Sequence, residues 1–176
     1  NIDNSEEMNG NNSISSIRPI NILIADDEEL IRNSMRRSLI EYANKKAISI
    51  MIIEASDGLE ILYYVYNGAV KGTSRSTRSK EASSPKIDLI ISDENMMFYT
   101  GKKTAKKLTK LENALSIKHI PFYLSSAFSF QCIKSSGVNV DGVFHKPLIS
   151  SDLEIIFHNF NKGALRPNTN DRNKLS

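Results

Sequence analysis

Five short runs of mainly apolar residues recur along this chain, and they are separated by longer stretches with helical periodicity. The runs span residues 20–25, 47–55, 87–92, 119–124 and 142–145. The first, INILIA, is almost wholly apolar, as in a strand buried on both faces of a sheet, and none is long enough to cross a bilayer. Strands that alternate with helices form a parallel sheet covered on both sides. The pattern therefore predicts an α/β fold with five parallel strands.

The helical segments are predicted over residues 28–44, 58–70, 102–115, 128–136 and 150–160. Residues 1–19 are rich in Asn, Ser and Glu, which is typical of a disordered leader or linker. Residues 71–86 are rich in Ser, Thr, Lys and Arg, and they predict a surface loop inserted into the domain. We therefore predict one domain over residues 20–162 and a flexible tail over residues 163–176.

Composition narrows the range of functions. The 176 residues carry a net charge of only +3, and no basic and aromatic run suggests a nucleic-acid groove. A single cysteine, Cys132, rules out an internal disulfide framework and a cysteine-based zinc site. No signal peptide is recognisable at the polar first residues. We expect a cytoplasmic segment without membrane contact, and the non-Met start suggests a piece of a longer protein.

Polar residues stand at the end of four of the predicted strands, namely Asp26, Asp27, Asp93, Ser125, Ser126 and Lys146. In open parallel sheets, ligands bind at the carboxyl ends of the strands. Three carboxylates at one point repel each other unless a cation joins them, and oxygen ligands suit Mg²⁺. Asp93 is a candidate nucleophile for a phosphoryl group, whose oxygens Lys146 and Ser126 would bind. Because no nucleotide-binding loop occurs, the donor is expected to be a phosphorylated protein or a small phosphodonor.

The chain resembles the receiver domains of two-component response regulators and hybrid histidine kinases. The resemblance covers about residues 20–160 and rests on five segments in the family's order, INILIADDEELIR, EASDGLE, IDLIISDENM, HIPFYLSSA and GVFHKPL. It implies a flavodoxin-like, doubly wound sheet with the strand order 2-1-3-4-5. It also implies Mg²⁺-dependent acceptance of a phosphoryl group from a phosphohistidine on a kinase or phosphotransfer protein.

The resemblance assigns roles to individual residues. Asp27 would contact Mg²⁺ directly, and Asp26 would do so mainly through water. Asp93 would be the phosphoacceptor, and Asn95 would offer its backbone carbonyl to the metal. Ser126 would be the switch hydroxyl, and Lys146 would be the lysine that precedes a cis proline.

Three departures from the family pattern stand out. Met97 replaces the usual proline after the acceptor, so the loop there is expected to be less stiff. Val143 occupies a position that is often aromatic and coupled to the switch hydroxyl, whereas its neighbour Phe144 should point to the opposite face. Phe128 is expected to lie over the site and to slow hydrolysis of the acyl phosphate.

Two other functions stay open. A degenerate receiver would only bind proteins, although the intact acid pair, Asp93 and Lys146 count against it. A Mg²⁺-dependent aspartyl-phosphate phosphatase would place a second acid two residues after its nucleophile, where this chain has Asn95. The leader suggests the C-terminal receiver of a hybrid histidine kinase, with a single-domain regulator as the alternative. Homodimerisation is left open.

Overall fold

The structure is a computed structural model and describes residues 18–71, 85–127 and 138–164. The strands are β1 (Ile20–Ala25), β2 (Ile50–Ala55), β3 (Leu89–Asp93), β4 (Phe122–Ser126) and β5 (Gly142–His145). The helices are α1 (Glu29–Lys46), α2 (Gly58–Lys71), α3 (Gly101–Leu115) and α4 (Ser150–Ala164). The helix predicted over residues 128–136 lies outside the described residues. Within the described ranges, no helix is long and apolar enough to span a membrane.

The five strands form one parallel sheet with the order β2-β1-β3-β4-β5. This order confirms the predicted doubly wound α/β topology. Crossing from β1 to β3 reverses the direction in which strands are added, so the switch point lies between β1 and β3. In register, Ala25 pairs with Ser92, and Asp93 pairs with Ser125. The carboxyl ends of β1, β3 and β4 therefore meet at one edge.

Alternating residues of the central strands divide the core into two layers. On one side, Leu23, Ile90 and Leu124 pack with Ala105 and Leu108 of α3. The other layer contains residues of β1, β3, β4, α1 and α4, among them Ile24, Ile91, Tyr123, Leu39 and Phe157. Helices α1 and α4 also meet through stacking of Tyr42 on Phe157, with ring centroids 5.0 Å apart. Both faces of the sheet are thus covered, which explains why its central strands lack a polar face.

Three strands begin later than predicted. Strand β3 starts at Leu89, two residues after the start of its apolar run, and the late starts of β2 and β4 have local reasons. Ala47 has a left-handed φ of 53° and ends α1, so the chain must turn before β2 starts at Ile50. Pro121 has no N–H to give to a ladder, although its carbonyl accepts from the backbone N–H of Ile90 at 2.9 Å. Strand β4 consequently begins at Phe122.

His119 lies between two carboxylates where the chain enters β4. Its Nδ1 is 3.1 Å from Glu112 Oε2, and its Nε2 is 3.1 Å from Asp141 Oδ2. The same carboxylates accept from backbone N–H groups, Glu112 from Ile120 at 2.7 Å and Asp141 from Phe122 at 2.8 Å. Hydrogen bonds to Asp141 and Glu112 raise the pKa of His119 to about 10. A charged His119 thus fastens α3 to the amino end of β5.

This arrangement predicts a loss of stability at alkaline pH. The raised pKa means that His119 stabilises the fold fully below its ordinary pKa of 6.5, and that this stabilisation disappears as pH rises through about 10. Because half of the His119 side chain is exposed, solvent screens the pairs, and we expect a loss of about 1 kcal/mol. The free energy of unfolding in urea, measured between pH 6 and pH 10, should fall less steeply in H119Q. Equal slopes in both proteins would contradict the prediction.

Candidate functional site

Three carboxylates converge at the carboxyl edge of the sheet. Asp26 directly follows β1, Asp27 comes next, and Asp93 is the last residue of β3. One carboxylate oxygen of each lies within 4.8 Å of the other two. Asp26 and Asp93 are buried, whereas Asp27 is exposed. The topology therefore brings together the three acids that the sequence placed at strand ends.

Lys146 connects the two buried acids. It follows β5, and its Nζ lies 2.8 Å from Asp26 Oδ2 and 2.9 Å from Asp93 Oδ1. The peptide bond from Lys146 to Pro147 is cis. Burial disfavours the ammonium form, but hydrogen bonds to Asp26 and Asp93 outweigh it and raise the pKa of Lys146. The lysine is therefore a fixed positive charge at the edge of the cluster.

Burial also acts on Asp93 itself. Desolvation raises the pKa of the Asp93 carboxyl above its ordinary value, although hydrogen bonding and the charge of Lys146 oppose the rise. The backbone N–H of Asn95 donates a further hydrogen bond to this carboxylate. Lys146 and the Asn95 N–H are thus two donors that partly offset the cost of burying the Asp93 carboxylate.

The other two acids are oriented by backbone groups. Asp26 Oδ1 accepts from the N–H of Glu28 at 2.9 Å, just before α1 begins. Asp27 Oδ2 accepts from the N–H of Met97 at 3.0 Å. The hydrogen bond from Met97 links the acid pair after β1 to the loop after β3. This is the loop that the sequence predicted to be less stiff. The side chain of Met97 is 78% exposed, so the loop contacts the site through its backbone.

The cluster fits a divalent cation that prefers oxygen ligands. Three carboxylates beside one ammonium group leave a formal charge of −2, so Lys146 alone does not neutralise the acids. Exposed Asp27 opens the site to solvent, which suits Mg²⁺ because this ion keeps several waters. Asn95, the remaining predicted metal ligand, is exposed beside Asp93 in the loop that follows β3.

Glu94 is a residue of this region that the sequence did not single out. It is only 4% exposed, although it follows the last strand residue, Asp93. The Ser126 hydroxyl donates to Glu94 Oε2, and Lys102 Nζ forms an ion pair with Oε1. The sequence did contain a signal for Glu94. It is a charged residue directly after a predicted buried strand, and a lysine stands at the start of the next helix.

Gly101 allows α3 to begin against the carbonyl of Asp93. A Cβ at this position would lie 2.2 Å from the Asp93 carbonyl oxygen and 2.7 Å from Leu124 Cδ2. The Gly101 N–H also donates to the Glu94 carbonyl at 3.0 Å. The loop from β3 to α3 is therefore closed tightly over the end of the strand.

We predict that G101A lowers the free energy of unfolding by about 1–3 kcal/mol, since backbone must move to accept the methyl group. Gly163 is the matched control, because it also lies in a helix and has nothing within 4 Å of the added Cβ. G163A should stay within about 1 kcal/mol of the parent. Urea unfolding measures both variants, and similar losses in the two would show that the close approach is unimportant.

Val143 and Phe144 take the orientations that the sequence predicted for β5. Val143 packs with the α3 layer of the core and Phe144 with the α4 layer, so they point to opposite faces. Phe144 lies against Tyr123, with ring centroids 5.7 Å apart. Phe128, which was predicted to shield the site, lies outside the described residues.

Comparison with known proteins places the fold. No family model matches the chain, and no curated protein matches its sequence. Many solved receiver domains share the fold. The receiver domain of the histidine kinase CKI1 from Arabidopsis thaliana, complexed with Mg²⁺ and BeF₃⁻, matches with a TM-score of 0.61 and 18% identity over 81% of this chain and 90% of that one. A two-component response regulator from Legionella pneumophila matches with a TM-score of 0.61 and 20% identity, covering 81% and 98%.

A third similar structure is the receiver domain of a sensor histidine kinase from Pseudomonas aeruginosa, with a magnesium ion coordinated in its active-site cleft. It matches with a TM-score of 0.55 and 15% identity, covering 81% of this chain and 98% of that one. These structures show that the chain has the fold of response regulator receiver domains. The resemblance noted in the sequence therefore extends to the three-dimensional fold.

Proposed function

We propose that this domain is a phosphorelay receiver that accepts a phosphoryl group on Asp93. The observation that carries the proposal is the contact of Lys146 Nζ with both Asp26 and Asp93, beside a third carboxylate on Asp27. A nucleophilic carboxylate, a cation site and a fixed ammonium group then lie within one small space. The fold and the Mg²⁺-bound similar structures support the same conclusion.

The transfer conserves atoms and charge. An Asp93 carboxylate oxygen forms a bond to phosphorus as the N–P bond of a phosphohistidine breaks. The electron pair of that bond stays on the imidazole nitrogen, which takes a proton if the solution pH requires it. Lys146 binds a phosphoryl oxygen in place of one carboxylate contact, and we assign Ser126 to a second phosphoryl oxygen.

The proposed metal is Mg²⁺, held by Asp26, Asp27, Asp93 and the carbonyl of Asn95. When bound, it supplies positive charge to the transferring phosphoryl group. The residues of the chain orient the metal-binding carboxylates and stabilise their positions. Asp27 is kept in position by the Met97 N–H, and Asp26 by the Glu28 N–H.

An apolar rim supports a protein as the phosphodonor. Large apolar side chains are exposed in the segments that follow the carboxyl ends of β1, β3 and β5: Leu30 is 81% exposed, Phe98 77% and Ile149 54%. These segments lie at the edge of the sheet that carries Asp93. Exposed apolar residues around a charged centre are typical of protein-binding surfaces. A kinase or phosphotransfer protein that bears phosphohistidine fits this surface.

The test is incubation of the protein with Mg²⁺ and a small acyl-phosphate donor, followed by intact-mass measurement. We expect one phosphoryl group to be added, only when Mg²⁺ is present. A mass that stays unchanged, under conditions that modify another receiver domain, would overturn the proposal in favour of a protein-binding module. Continuous release of phosphate from monoesters would instead indicate a phosphatase.

We further propose that residues 20–162 form the receiver and that it is the C-terminal, cytoplasmic part of a hybrid histidine kinase. The polar segments predicted before and after the domain support this placement. Finding a histidine kinase core upstream in the complete reading frame would test it. A reading frame that starts near Asn1 would indicate a single-domain regulator.

A further inference from the structure

Glu94 is a buried carboxylate that the proposed phosphoryl transfer does not use. Its two oxygens have different partners, the Ser126 hydroxyl at Oε2 and Lys102 Nζ at Oε1. Its backbone is fixed as well, because the N–H donates to the Ser125 carbonyl and the carbonyl accepts from Gly101, both at 3.0 Å. The carboxylate is therefore held in one place beside β4.

Strand alternation explains why Ser126 contacts Glu94. Asp93 follows Ile91 on the side of the sheet that faces α1 and α4, whereas Ser126 follows Leu124 on the side that faces α3. Lys102 belongs to the first turn of α3 and therefore lies on the same side as Ser126. The hydroxyl must rotate away from Glu94 to serve a group attached to Asp93.

The two acceptors compete for a single hydrogen. A serine hydroxyl has one O–H donor, while a carboxylate and a phosphoryl oxygen are both acceptors. The Ser126 hydrogen can therefore bond Glu94 or a phosphoryl oxygen on Asp93, but not both at once. An element with two exclusive hydrogen-bonded arrangements has the property that a two-state switch needs.

We propose that Glu94 is a positioning residue that holds the Ser126 hydroxyl away from Asp93 until a phosphoryl group competes for it. The inference rests on the proposed function, since Ser126 must bind the phosphoryl group for the competition to exist. Glu94 would compete with the phosphoryl group for the Ser126 hydroxyl. The strength of its hydrogen bond would therefore set the free energy needed to reach the phosphorylated arrangement.

Lys102 makes the exchange reversible. A buried carboxylate left without any partner would be costly, so release of Ser126 alone would be unfavourable. The ion pair with Lys102 keeps Glu94 satisfied after the hydroxyl has moved. The two arrangements can then differ by a small free energy, which a phosphoryl group can overcome.

Affinity for beryllofluoride at saturating Mg²⁺ tests this inference, because beryllofluoride takes the place of the phosphoryl group on an aspartate. The informative variant is the double substitution E94M/K102M, which removes one charge of each sign and leaves the net charge unchanged. With Ser126 present, we expect the affinity to rise about tenfold, since the competing charged acceptor is gone. In an S126A background, the same pair of substitutions should change the affinity by less than about twofold.

Equal effects in the two backgrounds, or no effect in either, would overturn the role of Glu94 while leaving the acceptor role of Asp93 intact. A parent protein that binds no beryllofluoride would overturn the proposed function and this inference together. Urea unfolding verifies that each variant is folded. If the double variant is not, E94Q keeps the side-chain shape and should give a smaller rise, about threefold, that still requires Ser126. K103M, at an exposed lysine next to Lys102, is the matched surface control.

Discussion

Phosphoryl incorporation should fall by at least about 10³-fold when Asp93 is replaced by Asn, because the amide is a far weaker nucleophile than the carboxylate. The side-chain shape is kept, and the amide oxygen can still accept from Lys146. We therefore expect D93N to fold and to lose its reaction with acyl phosphate. Intact mass after incubation with Mg²⁺ and the donor measures the effect.

D57N is the matched control for D93N. Asp57 also follows a strand of the sheet, and its Oδ1 accepts from the N–H groups of Leu59 and Glu60 at the start of α2. Asn caps a helix about as well as Asp, so D57N should keep both stability and phosphoryl incorporation. If phosphoryl incorporation persisted in D93N but disappeared in D57N, the phosphoacceptor would be Asp57 and not Asp93. That result would contradict the proposed function.

Replacing Lys146 with Met should have opposite effects on metal binding and on phosphoryl transfer. The substitution removes the ammonium group between Asp26 and Asp93 and leaves the three acids without a compensating charge. Mg²⁺ should then bind more tightly, by about 3- to 10-fold, because it meets a more negative cluster. The rate of reaction with acyl phosphate should nevertheless fall by about 10²–10³-fold, since a donor to the phosphoryl group is lost.

The same variant should be less stable without metal. Asp26 is fully buried, and removing its partner leaves an uncompensated charge, with a cost of about 2 kcal/mol because Lys146 is itself partly exposed. Mg²⁺ should restore more of the melting temperature in K146M than in the parent. A purely structural lysine would lower metal affinity and reaction rate together, which differential scanning calorimetry and metal titration would reveal. K103M, at an exposed lysine, should leave the Mg²⁺ affinity and the reaction rate unchanged.

Much of the fold could be predicted from periodicity. β1 and β5 begin and end where the apolar runs do, since each run is bounded by polar or turn-forming residues. The starts of β2, β3 and β4 were predicted too early. At β2 and β4, apolar residues precede the strand without pairing in it, after left-handed Ala47 and before Pro121. Apolar character marks burial, but only backbone geometry marks the start of a hydrogen-bonded ladder.

The acids at the strand ends were determined by the sequence itself, because parallel strands with intervening helices must align their carboxyl ends. Asp26, Asp27 and Asp93 could therefore be grouped before any contact was known. The partners of Glu94 depended on the tertiary structure. Register between β3 and β4, together with the placement of α3, decides that its carboxylate meets Ser126 and Lys102. The contact with Ser126 joins residues 32 positions apart, and local patterns carry no information on such a pair.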